Sequence, residues 1–136
     1  MLDRKIRKKI EWAFRNYDTL KEQGADYLVA LAEQGITPMY GAVGSRASPG
    51  NPTESKGIRA AEYNAVLWCK VVENTMDRFE DTGKDTLIRL KYFESRKEMY
   101  ILDKLYIDRS AYYDWLNSIL TYAAMIALQF GVIKII

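Results

Sequence analysis

Residues 100–115 read YILDKLYIDRSAYYDW. Apolar side chains at Tyr100 or Ile101, Leu102 and Leu105 lie on one side of a helix, the period breaks near Tyr106, and it resumes at Tyr112. The gap is too short for a loop. Asp108 has the character of an N-cap, its carboxylate accepting backbone N–H bonds at the positive end of a new helix dipole. The stretch therefore predicts helix, a turn of three or four residues with Ile107 facing inward, and a second helix: the local geometry of a helix-turn-helix.

Working outward, Ser95 and Glu98 in SRKE have capping-box spacing, which starts the first of these helices near Arg96. KDTLIRLKYFES before it reads as a short apolar helix capped by Asp85 or Thr86. Ile58 to Phe79 is a long amphipathic helix stopped by EDTG. The tail AAMIALQFGVIKII carries the last helix to Leu128 or Phe130, with Gly131 as its C-cap. Val132, Ile133, Ile135 and Ile136 beyond it either fold back on the core or make a dimer contact.

Toward the other end, Leu2 to Leu31 has helical spacing, and Gly24 is the expected place for that helix to end or kink. Its first turns hold Arg4, Lys5, Arg7, Lys8 and Lys9 against Asp3. Two readings stand for them, a solvated face or an arm that touches phosphates or a protein partner. All three prolines fall in QGITPMYGAVGSRASPGNPTESKG, residues 34–57, which reads as a flexible linker. The expectation is an all-α chain: an N-terminal basic amphipathic helix at 1–33, the linker at 34–57, and a helix-turn-helix domain at 58–136.

Composition narrows the function. The 136 residues contain no histidine and one cysteine, so Ser-His-Asp and Cys-His catalysis and clustered zinc ligands are excluded. Cys69 in AVLWCKVV reads as a small buried hydrophobe. Glu80, Asp81 and Asp85 surround Gly83 at a helix end, where solvated capping is their expected role. GAVGSRASPG lacks the Lys-Ser/Thr close of a phosphate loop. No enzyme, cofactor or metal is expected. The basic N-terminus is followed by no signal-peptide core, and Leu116 to Ile136 is too interrupted by polar residues to span a membrane, so the expected location is the cytoplasm.

In a helix-turn-helix the second helix offers its N-terminal residues to base edges while the first crosses the backbone. Arg109, Ser110, Tyr113, Asp114 and Asn117 form the outward set, and Tyr112, Trp115 or Leu116, Ile119 and Leu120 the inward one. Arginine reads guanine and asparagine reads adenine, while serine and tyrosine hydroxyls suit phosphates. Arg96, Lys97 and Lys104 are placed to touch the backbone. Between Lys84 and Asn117, however, seven basic residues face six acidic ones, which predicts weak non-specific affinity.

The order NPTESKGIRAAEY, a long helix, then LIRLKYFESRKEMYILDKLYIDRSAYYDWLNSILTYAAMIALQFGVI resembles the small phage and prophage transcriptional regulators of the ArpU and RinA type. The resemblance covers about residues 52–133 and rests on KYF, YILDKLYID, AYYDW and AAMIALQFG. It implies a domain like sigma-factor region 4 that binds double-stranded DNA at late-gene promoters, with RNA polymerase and a second copy of the chain as further partners. By position, Arg109, Ser110, Tyr112 and Tyr113 open the recognition helix, Tyr112 being packed rather than reading. Asp108 stands where such helices usually begin with serine or threonine. The alternative is a helical assembly protein such as a DNA-packaging terminase small subunit.

Overall fold

The computed structural model describes residues 2–33 and 53–134, with side chains at 2–33 and 60–134. Most of the expected linker, residues 34–52, and the last two isoleucines lie outside them. The described residues are all-helical, with no strand. The elements are α1 (Arg4–Arg15), α2 (Tyr17–Glu33), α3 (Thr53–Arg78), α4 (Lys84–Ile88) running into a π-helical turn (Arg89–Phe93), α5 (Glu98–Leu105) and α6 (Arg109–Phe130).

The N-terminal helix is two helices. Its period breaks at Asn16, which leaves helical geometry (φ −106°, ψ 21°) while its side-chain amide donates to the Trp12 carbonyl at 2.8 Å. A short polar side chain that competes for a helix carbonyl is a natural breaker. Gly24, the expected break, instead lies buried inside α2. A Cβ there would meet Cγ2 of Val66 at 3.1 Å and its Cα at 3.4 Å, so this glycine lets α2 lie close along α3.

The first helices pack into the same core as the residues beyond the proline-rich stretch. Ile10, Ala13, Phe14 and Leu20 share one core with Trp68, Val71, Val72, Leu87, Ile88, Tyr92 and the inward face of α6. The Phe14 ring stacks on Tyr92 (centroids 5.3 Å apart), whose hydroxyl donates to Oε2 of Glu11 at 2.7 Å. Trp12 meets Trp68 edge to face. Tyr17, opening α2, stacks on Phe93 and donates to Glu73 at 2.7 Å. Cys69 is buried, which pushes its thiol up to about 11, as befits a small hydrophobe.

Two expected caps are made differently. Gly83, in the left-handed region (φ 91°), holds the N-cap position of α4, and Asp85, inside the first turn, accepts from the Asp81 N–H at 3.1 Å and from the Thr86 N–H at 2.8 Å. A Cβ at Gly83 would also touch the Trp115 ring at 3.1 Å. Ser95 has φ 53°, which removes it from the N-cap position, so the Ser95–Glu98 capping box does not form and Lys97 is the N-cap of α5. Two others form as expected. The Asp108 carboxylate accepts from the Ala111 N–H at 2.7 Å, and left-handed Gly131 ends α6. Val132 and Ile133 fold back against the core.

Burial, and then the bond to Glu11, raise the Tyr92 phenol far above its ordinary value of 10.0. Because the folded pKa is raised, the stability this group contributes is complete below pH 10 and declines progressively as pH rises above 10 toward the much higher folded value. Tyr92→Phe should cost about 1–2 kcal/mol at pH 7 by removing a hydrogen bond to a carboxylate. It should also make the alkaline decline shallower by up to about 1.4 kcal/mol per pH unit, read from urea unfolding at pH 8–11. In the same assay Gly24→Val, which forces a branched side chain against Val66, should destabilise by about 1–3 kcal/mol.

Candidate nucleic-acid interface

The junction quoted above is a three-residue turn. Tyr106 closes α5 in the left-handed conformation (φ 55°, ψ 45°), the position for which glycine is favoured, and is 95% exposed. Ile107 comes next, half-buried against the core, with its N–H on the Leu102 carbonyl at 3.2 Å. Asp108 then caps α6. Ile101 anchors α5 with no exposed surface, and Tyr112, Leu116, Ile119 and Leu120 anchor α6.

That anchoring decides what faces out. Arg109, Ser110, Tyr113, Asp114 and Asn117 are all exposed on the first turns of α6. Tyr112 is packed, and its hydroxyl accepts from Nζ of Lys91 at 3.0 Å, which ties the π-helical turn to α6. Arg96, Lys97 and Lys104 are exposed on and before α5. Arg96 is not idle: its Nε lies 3.3 Å from Oε1 of Glu94, and its guanidinium sits 4.7 Å from the Tyr100 ring centroid. Ser110, Asn117, Lys97 and Lys104 have no side-chain partner among the described residues.

The residue that joins this group is Glu98, absent from the sequence-derived set. Its Oε2 lies 3.0 Å from Nε of Arg109, and its Oε1 accepts from the Tyr113 hydroxyl at 2.7 Å. Glu98 thus holds two of the expected DNA-contacting side chains, across the turn and 11 and 15 residues away in the chain. The hydrogen bond to Glu98 is also the main reason the Tyr113 phenol titrates above its ordinary value. SRKE did mark Glu98 as important, but for capping. Nothing in a local pattern distinguishes a carboxylate that reaches back to Ser95 from one that reaches forward to Arg109.

The surface is chemically mixed. Asp103, Asp108 and Asp114 are exposed beside the cations, and Met99, Tyr100, Tyr106 and Tyr113 add exposed apolar area. Among the described residues, no group of three or more histidine, cysteine, aspartate or glutamate side chains is placed to hold a metal, and no helix is long and apolar enough to cross a membrane. No known protein family, curated protein or solved structure matches the chain.

Glu98→Gln should bring the Tyr113 phenol back toward its ordinary range by removing the carboxylate. The measurement is the Tyr113 ring resonance followed by NMR from pH 9 to 12. An unchanged midpoint would mean that the phenol is not bound to Glu98 in solution.

Proposed function

We propose that the chain is a sequence-specific DNA-binding transcriptional regulator of the phage late-activator kind, with α5 and α6 as its helix-turn-helix. One observation supports this most: a capped helix begins after a three-residue turn, holds its inward face rigidly through Tyr112, Leu116 and Ile119, and leaves Arg109, Ser110, Tyr113 and Asn117 in solvent. Preorganised side chains at a helix N-terminus suit base edges in the major groove. In this reading Arg109 and Asn117 select bases, Ser110 and Tyr113 meet phosphates or sugars, and Arg96, Lys97 and Lys104 set the register on the backbone.

The work is positioning rather than catalysis. DNA contacts place the protein at a promoter, and a protein contact, with RNA polymerase or a second copy, performs the activation. Glu98 opposes this by occupying Arg109 and by adding negative charge beside phosphates, so Arg109 must exchange a carboxylate for a base when DNA arrives. A packaging-type assembly protein would use the same helices in a ring, and the mass in solution separates that alternative.

The test is selection from random duplexes, with light scattering for the mass. Enrichment of one motif by a monomer or dimer is the expected result. On the selected site, Arg109→Ala or Asn117→Ala should each cost about 1–3 kcal/mol, concentrated at one base position. Equal losses on every sequence would remove these residues from base readout, and absence of any preferred motif would overturn the assignment.

A further inference from the structure

A second charged surface lies elsewhere among the described residues. Arg4, Lys5, Lys8 and Lys9 are all exposed on the N-terminal half of α1, and none of them forms an ion pair among the described residues. Arg7, between them, differs: it is turned toward Glu11, with 3.7 Å between Nε and Oε1. Exposed acids dilute the patch less than they do around α5 and α6: the first turn of α1 holds no acidic residue, and Asp3 at the N-cap is the one exposed carboxylate beside these four cations in the sequence.

This arrangement is unfavourable for the helix itself. The N-terminus carries the positive end of the dipole, where carboxylates stabilise and cations destabilise. Arg4 and Lys5 in the first turn oppose the dipole, and all four cations repel one another. A polyanion from outside would relieve both repulsions.

The rest of α1 determines which polyanion fits. Ile10, Ala13 and Phe14 are fully committed to the core, so the helix has no free apolar face to sink into a bilayer, as a membrane-surface helix requires. Lys5, Lys8, Lys9 and Trp12 line only a shallow, open depression, without a pocket to take the buried anchor residue typical of a protein interface. The cations repeat at positions 4, 5, 8 and 9, about 7.5 Å along a rigid helix, which spans roughly two phosphates of one strand at about 3.4 Å each. Trp12 continues the row, 40% exposed, with Nζ of Lys9 at 4.1 Å from its ring centroid.

We propose that the Arg4–Lys5–Lys8–Lys9 face of α1 is a nucleic-acid backbone-binding surface, separate from α6, that supplies the sequence-independent affinity the near-neutral α5–α6 region lacks. It rests on the reading of DNA as the partner but assigns the phosphate work to a different part of the chain. Base selection by α6 and charge neutralisation by α1 are then distinct functions of one molecule.

The experiment is fluorescence anisotropy of the full-length chain on a labelled random-sequence duplex from 50 to 300 mM KCl. Neutralising roughly two phosphates gives a slope of about −0.9 per contact in log affinity against log salt. Replacing Arg4, Lys5, Lys8 and Lys9 together by glutamine should make that slope shallower by about two, whereas Arg109→Ala should change it by at most about one. The Lys5→Arg, Lys8→Arg, Lys9→Arg triple variant keeps the charge and should keep the slope. Thermal melting of the glutamine variant is expected at or above the wild-type temperature, because repulsion at the helix end has been removed, so a lost slope reports binding and not unfolding. An unchanged slope in the glutamine variant overturns the proposal, as does binding only to phosphatidylserine vesicles and not to the duplex. Loss of motif preference in Arg109→Ala with the slope intact belongs to α6, and loss of slope with preference intact belongs to α1, so the two readings fail separately.

Discussion

Tyr92 joins the two ends of the chain. Its ring is buried against Phe14, its hydroxyl reaches Glu11, and the Arg15 guanidinium lies 5.4 Å from its centroid. It owes that position to the π-helical turn, in which the Glu94 N–H bonds to the Arg89 carbonyl across five residues. Wide turns of this kind alter the direction of the side chains that follow. Leu90 and Tyr92 both point into the core, while Lys91 between them grips the hydroxyl of Tyr112. One turn thus fixes α1 on one side and the start of α6 on the other.

The consequence for function is rigidity. α6 passes through the core against α3 and α1, and its buried positions from Tyr112 to Ala127 hold the whole helix. Each large apolar side chain so buried contributes about 1.5–3 kcal/mol. The exposed N-terminal turns are therefore carried by a helix held along its length by the core. The same packing orients α1, because a helix whose apolar stripe is spent on the core must show its cations to solvent.

The charge distribution divides these surfaces. Around α5 and α6 acids and bases interleave, and Glu98 and Glu94 engage the two arginines. On α1 only Arg7 is ion-paired, with Glu11, and Arg4, Lys5, Lys8 and Lys9 form no ion pair among the described residues. The near-neutral total therefore conceals an uneven distribution, with one face of mixed charge and one predominantly basic.

Much of this was legible in the residues. Helical periodicity, the Asp108 cap, the inward Tyr112 and the Gly131 stop are local properties, set by side chains within one or two turns of each other, and a linear pattern records such spacing directly. The break at Asn16 was locally encoded too, but Gly24 carried the stronger general signal. Why Gly24 is glycine depends on Val66, 42 residues away, and no propensity contains that distance. Glu98 was assigned to Ser95 because the spacing was right, until the left-handed backbone at Ser95 left its carboxylate to Arg109 and Tyr113. The partition into an N-terminal helix and a separate domain followed from the proline-rich stretch, yet Phe14 and Tyr92 belong to one core. The sequence by itself determined that the described chain is helical, where α6 is capped and stopped and which cations α1 carries, because those depend on neighbours in the chain. Tertiary structure alone decided which carboxylate holds Arg109, which helix lies against which and what faces solvent, because burial brings together groups whose separation along the chain has no bearing on their distance in space.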